Sequence, residues 1–226
     1  MESVPDARAD EFRLPLQLSG VQAGMTLMDL PSGGGYLRRY LAKDIRYLPV
    51  ETVSGYRRYA DVLMGDWADL PVTDQAVDVV LSIAALHHLT DQRIACYREV
   101  HRVLRPGGCL VIADVAAGSA ASRWLDEFVD QNSSEGHVAR FFCPEEIALL
   151  TEAGFDVPVA RLVEYPWYFS DRQQMVRFCR GLFRLDRPTD EAIDNALEQY
   201  LGTKVAADGS LQLNWSLMHF KAVRNQ

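Results

Sequence analysis

The chain has 226 residues, of which 48% are hydrophobic and 24% charged, a balance that supports one buried core and excludes a disordered chain. Its formal charge of −8 argues against nucleic-acid binding, where neutralised phosphates supply most of the affinity. No apolar run approaches the ~20 residues of a membrane span, and the polar start MESVPDARADEF does not read as a secretory signal.

Hydrophobic patterning predicts strands at Met25–Leu30, Ile45–Glu51, Asp61–Met64, Val77–Ile83 and Cys109–Val115, with helices at Tyr36–Ala42 and Thr90–Leu104. Val77–Ile83 and Cys109–Val115 are near-continuous apolar runs, as parallel strands covered on both faces require. In the helix before the latter, Ile94, Tyr97, Val100 and Leu104 recur at helical spacing, and Arg105-Pro106-Gly107-Gly108 stops it. A helix at Pro144–Ala153, a strand from Val157 to Tyr165 and a last strand at Leu211–Val223 follow. Ala116–Phe142 and Ser170–Leu201 interrupt the alternation as inserts, the second as two helices separated by Leu185–Thr189. Regular alternation of this kind implies an α/β fold with a doubly wound sheet. Cys96, Cys109, Cys143 and Cys179 include no C-x-x-C pair, which removes the zinc-ribbon and thioredoxin readings and fits a reducing, cytoplasmic setting.

The sharpest local signal is the segment Asp29 to Gly35 (DLPSGGG), between the first strand and the next helix. Glycines there let backbone approach a ligand closely, and a helix start offers free N–H groups to an anion. A nicotinamide fingerprint would need a third small residue for helix–strand packing; counting from Gly33 and Gly35, that position is Arg38, which disfavours a dinucleotide enzyme.

These residues resemble the first motif of the class I, seven-stranded, Rossmann-like S-adenosylmethionine-dependent methyltransferases. Asp29 is the acidic residue, Gly33 and Gly35 are two of the glycines, and Pro31 replaces the first. The resemblance continues in order through Glu51, the segment Gly65 to Pro71, the run from Asp78 to Leu89 and the turn from Leu104 to Ile112. It implies a mostly parallel seven-stranded sheet with an antiparallel last strand and helical inserts that form a lid. The whole of 1–226 would be one methyltransferase domain: an N-terminal cap at 1–24, a cofactor-binding core at 25–115, and substrate-covering inserts at 116–142 and 170–208. It further implies S-adenosyl-L-methionine as cofactor, with Asp29, Gly33, Gly35 and Ser82 in its site, Glu51 on the ribose, and Asp66 and Trp67 on the adenine.

Methyl transfer is an in-line displacement, so the protein mainly aligns the acceptor and excludes water. A hydroxyl acceptor also needs a base, and His87 and His88, after the fourth strand, are the catalytic candidates; bracing of the loop is the alternative role. His137 is a candidate lid residue, whereas His101 and His219 read as structural. No acidic trio or histidine cluster stands at ligand spacing, so no metal is expected. Trp167, Tyr168, Phe169, Met175, Phe178, Leu182 and Phe183 offer apolar surface for a hydrophobic or aromatic acceptor, or fasten the insert. Arg177, Arg180 and Arg184, with Arg187 beyond, fall on one helical stripe that suits a carboxylate, a carrier-protein arm or plain solvent. The reading is methyl transfer to a small molecule. A carboxyl methyltransferase acting on a carrier-bound acyl chain and a non-catalytic cofactor-binding subunit remain open.

Overall fold

Two apolar runs, β4 (Val77–Ile83) and β5 (Leu104–Asp114), pair in parallel from Val79↔Cys109 to Ile83↔Ala113 and form the sheet centre. The computed structural model describes residues 4–225. Beside β4 lie β1 (Thr26–Asp29), then β2 (Arg46–Glu51) and the two-residue β3 (Leu63–Met64), all parallel. On the other side β8 (Leu211–Arg224) runs antiparallel between β5 and β6 (Phe155–Phe169). The order is therefore β3-β2-β1-β4-β5-β8-β6, the expected doubly wound α/β sheet with an antiparallel last strand. A short β7 (Thr203–Val205), not foreseen in the sequence, pairs with β8 as an eighth strand.

Side chains alternate between the faces of each strand. Met28, Val80, Leu110 and Ile112 meet Cys96, Tyr97 and Val100 of α2 (Arg93–Val103) and Leu150 of α5 (Glu146–Glu152). Leu27, Val79, Leu81 and Val111 meet Phe12 of α1 (Ala9–Ser19), the helix inside the expected cap; residues 1–3 of that cap lie outside the described residues. A third cluster joins the inserts to the β6–β8 end of the sheet. Trp124 and Leu125 in the helical stretch Ala120–Arg123 (α3), Trp124–Val129 (π-helical) and Asp130–Asn132 (α4) pack with α6 (Arg172–Leu182) and α7 (Asp190–Tyr200).

Three expectations change. The helix at Tyr36–Ala42 is a single 3₁₀ turn, Tyr36–Tyr40, because it starts at a left-handed Gly35 (φ 71°) and meets extended backbone at Leu41. It therefore supplies no helix dipole to a ligand. The strand foreseen at Asp61–Met64 shrinks to Leu63–Met64, paired only to Val50 and Glu51. β6 extends well past Tyr165, where the strand was expected to end, since β8 pairs with it from Phe155↔Arg224 to Phe169↔Leu211 and so takes in Trp167 to Phe169.

Candidate functional site

The glycine loop leaves β1 at the carboxyl edge of the sheet, pinned by Leu30 N–H to Leu81 O at 2.9 Å and Ser32 N–H to Val50 O at 2.8 Å. Gly33 takes φ 54°, a conformation costly for any residue with a Cβ. Its N–H donates to Glu51 Oε2 at 2.8 Å, while Glu51 Oε1 accepts from Thr52 N–H at 2.9 Å and Val53 N–H at 3.1 Å. The Gly33 amide, expected to face a ligand bare, is thus held by Glu51, and one acceptor position on Oε2 remains for a ligand hydroxyl.

Above this loop lies a cavity of about 420 Å³, inside the range of small-molecule sites. Asp29, Gly33, Gly34 and Glu51 line its polar end; Trp67, Ile83 and Leu89 give apolar surface elsewhere. Asp29 is buried, and burial pushes its carboxyl up to about 7; the Tyr47 hydroxyl, donating at 2.6 Å, opposes the rise and the Glu51 charge adds to it. Two acidic groups beside left-handed glycines, facing an apolar flank, fit a nucleoside with a cationic amino-acid tail. The buried Asp29 would regain its charge opposite such a cation.

Other residues named for the cofactor stand elsewhere. Asp66 is exposed, caps its own turn by accepting from Ala68 N–H at 2.9 Å, and does not line the cavity; its neighbour Trp67 does. Ser82 is buried in β4, its hydroxyl without a partner among the described residues, also away from the lining. Gly35 lies beneath the loop, where a Cβ would come 2.8 Å from the Tyr59 ring, and Gly34 takes its place in the wall.

A second cavity, about 270 Å³, adjoins the first and shares Arg8, Tyr56, Ala84 and His88 with it. His87, buried in the turn Leu86–His88 after β4, has its Nδ1 2.6 Å from Asp114 Oδ1. Asp114 ends β5 and also accepts from the N–H groups of Val115, Ala85 and His87. Burial alone would raise its pKa; the facing imidazole and these donors hold it below the carboxylate norm. His88 Nδ1 lies 3.3 Å from Val138 O. His137 enters from the first insert, its ring centroid 5.5 Å from His87 and 5.4 Å from His88. Burial and the two neighbouring imidazoles push His137 down to about 4, and burial with His87 also lowers His88. Sequence spacing hid this cluster and gave no reason to expect a metal, yet the three histidines bring ligand nitrogens within 4.8 Å of one another.

The remaining wall divides the apolar residues of β6 and the inserts. Trp167, Leu182 and Phe183 line the second cavity with Leu125, Val129 and Trp215. Phe169, Met175 and Phe178 are buried in the core and fasten the insert to the sheet, and Tyr168 is exposed. The arginine stripe breaks up because α6 ends at Leu182, with Arg184 left-handed at φ 51°. Arg180 pairs with Asp190 at 2.6 Å, Arg184 with Glu135 at 2.5 Å, and Arg187 donates to Gln131 O; Arg177 is exposed. His101 stacks edge-on against Phe155, and His219 is buried on β8, where burial and Arg161 push it down to about 4.

Sequence reading missed Asp114, Gly34 and the α1 residues Phe12 and, just before the helix, Arg8, all of which reach the site. An acidic residue closing an apolar strand was the available signal for Asp114.

Residues 28–112 match the family model described as a methyltransferase domain. A malonyl-[acyl-carrier protein] O-methyltransferase of Yersinia pestis is 32% identical over 136 residues, 56% of this chain and 49% of that protein. The 27-O-demethylrifamycin SV methyltransferase of Amycolatopsis mediterranei (strain S699) is 32% identical over 163 residues, 64% of this chain and 60% of that protein. Among solved structures, a SAM-dependent methyltransferase of Methanosarcina mazei aligns at TM-score 0.59 and 17% identity, covering 93% of this chain and 97% of that one. The chain spans only 33% to 54% of the length of the first curated relatives it matches. The fold is that of class I methyltransferases. Residues 28–112 are thus similar to a methyltransferase domain, and the fold around them is the one such proteins share.

Proposed function

We propose that this protein transfers a methyl group from S-adenosylmethionine to a small, hydrophobic or aromatic acceptor. The observation that carries the reading is the pair of adjoining cavities, one acidic and glycine-lined, the other aromatic, with His88 in the wall of both. The bound nucleoside would supply an electrophilic methyl group on sulfur. Asp29 would meet its ammonium, Glu51 a ribose hydroxyl through the free acceptor position, and Gly33 and Gly34 would let the tail pass against backbone. Trp67, Ile83 and Leu89 fit the adenine better than Asp66, whose carboxylate would have to leave its turn.

Trp167, Phe183 and Trp215 would hold the acceptor and keep water out, and the inserts at 116–142 and 170–208 would act as its cover. For a hydroxyl acceptor, the imidazoles of His87 and His88 are the proton-accepting groups, His87 oriented by Asp114. Among the described residues no helix is long and apolar enough to cross a bilayer. Four free thiols agree with a cytoplasmic setting.

Acyl chains on a carrier protein form the second acceptor class, favoured by the likeness to the Yersinia pestis enzyme. Arginines 180, 184 and 187 are bonded within the inserts, while Arg177 is exposed on α6 beside Asp171. The test is calorimetry with S-adenosylhomocysteine followed by labelled methyl donor with phenols, free acids and acyl-loaded carrier. Saturable binding and label in a free small acceptor are expected. No binding at hundreds of micromolar would leave a scaffold subunit, and label only in the loaded carrier would select the second class.

A further inference from the structure

We propose that His87, His88 and His137 form a binding site for a divalent transition-metal ion, with zinc the best match, in the wall of the second cavity. The role given to the ion below rests on the acceptor placement proposed above; the site itself does not.

Three observations converge. The ligand nitrogens of the three rings already lie within 4.8 Å of one another. Tetrahedral zinc with Zn–N of ~2.0–2.1 Å needs them about 3.3 Å apart. His137 stands on an irregular stretch between α4 and α5, the segment best able to close that gap. Second, the outer nitrogens are engaged as metal-ligating imidazoles usually are. His87 directs Nδ1 to the Asp114 carboxylate at 2.6 Å and His88 directs Nδ1 to the Val138 carbonyl at 3.3 Å, which leaves Nε2 of both for an ion. Third, His137 Nδ1 is buried with no hydrogen-bond partner among the described residues, a cost that a ligand would remove.

Three neutral imidazoles suit zinc, cobalt, nickel or copper and exclude magnesium and calcium, which take oxygen. Asp114 beneath His87 partly balances the ion's charge, and the two cations of this cavity wall are each paired to a carboxylate, Arg184 to Glu135 and Arg8 to Glu11. Three protein ligands leave a fourth position open to the cavity, as catalytic sites require. An acceptor hydroxyl bound there would lose its proton to water, and its oxygen would attack the methyl carbon. The O–C bond forms, the C–S bond breaks, and its electron pair returns to sulfur. With the ion bound, the imidazoles act through it in place of the direct proton acceptance given above for the metal-free site.

The test uses the full chain after chelator treatment, with cobalt(II) as optical probe and calorimetry for zinc and, separately, S-adenosylhomocysteine. One equivalent of cobalt should give intense visible bands of a tetrahedral site, displaced by zinc. His137→Ala should lose these bands while binding S-adenosylhomocysteine as the parent does, which shows that it is folded. Should that variant not fold, His137→Gln carries the same readouts. Asp114→Asn should weaken zinc by ~10–100-fold. Absence of the bands in chain that binds S-adenosylhomocysteine, or bands unchanged in His137→Ala, overturns the site. Cobalt binding without S-adenosylhomocysteine binding keeps the site and sinks the methyl-transfer reading. Full activity in metal-free chain overturns the ion's role in transfer.

Discussion

His87 Nδ1 stands 2.6 Å from Asp114 Oδ1, and this one contact joins the turn after β4 to the end of β5 inside the molecule. The same carboxylate accepts the backbone N–H groups of Ala85 and His87, so ring and turn are oriented together. Asp114→Asn keeps the shape but places an amide where the imidazole needs an anionic acceptor. With a hydroxyl acceptor kcat should fall ~10²–10⁴-fold, the range for losing an oriented proton acceptor, with KM little changed. Binding of S-adenosylhomocysteine should persist. Steady-state rates beside calorimetry check both halves, and an unchanged kcat would assign the pair to loop bracing alone.

Beneath that turn lies a buried ion pair. Arg93 and Glu146, each 1% exposed, meet at 2.6 Å. Tyr97 donates to the other Glu146 oxygen at 2.5 Å, and the guanidinium covers the Phe142 ring at 4.1 Å. Arg93 also donates to the carbonyls of Leu86 and Arg140, and so ties the histidine turn to the first insert. Arg93→Met leaves Glu146 charged and uncompensated, and should cost ~3–5 kcal/mol in urea unfolding. Arg93→Met with Glu146→Met should recover most of that loss, because an apolar pair of similar volume replaces two desolvated charges.

How legible these features were follows from their range in sequence. The strands around Val80 and Val111 and the loop at Gly33 announce themselves within a few residues, and the doubly wound α/β class follows from the alternation of strand and helix. Arg93 reads as an ordinary polar helix position, and only the fold turns it inward. His137 lies far from His88 in the chain, so no spacing rule could join them. Asp66 looked like a ligand group because its neighbourhood does, but the turn back from Asp69 directs it to Ala68 N–H. The direction of a side chain at a strand end depends on the last residue of pairing, which sequence patterns place only to within a few positions.

Asp29 makes stability depend on pH in a direction opposite to that of a paired surface acid. Its carboxyl is held at about 7 against an ordinary value of 3.8, so the folded chain favours the neutral acid. That contribution is complete below about pH 4 and is lost as pH rises through about 7. Thermal midpoints should therefore decline from this source across that window. Asp29→Asn should remove the decline, raising the midpoint by roughly 10 °C at pH 8 and hardly at all at pH 4. A parallel shift of parent and variant at every pH would locate the titration elsewhere. With S-adenosylhomocysteine present the parent should regain stability at pH 8, where the charged Asp29 meets the ligand's ammonium.

Two glycines two residues apart should fail in different ways. At Gly33 an added Cβ meets nothing within 4 Å, so the folded chain bears only the strain of φ 54°, ~1–2 kcal/mol. The same Cβ and its branches occupy space in the wall of the first cavity, where a ligand's tail would pass. Gly33→Val should thus lower the thermal midpoint by only a few degrees yet weaken S-adenosylhomocysteine at least ~100-fold. At Gly35 the Cβ comes 2.8 Å from the Tyr59 ring at φ 71°, beneath the loop and outside the cavity. Gly35→Val should therefore destabilise the chain more and weaken the ligand less. Differential scanning fluorimetry and calorimetry on both variants separate the two effects. If Gly33→Val binds as the parent does, the ligand does not cross this loop, whatever the stability data say.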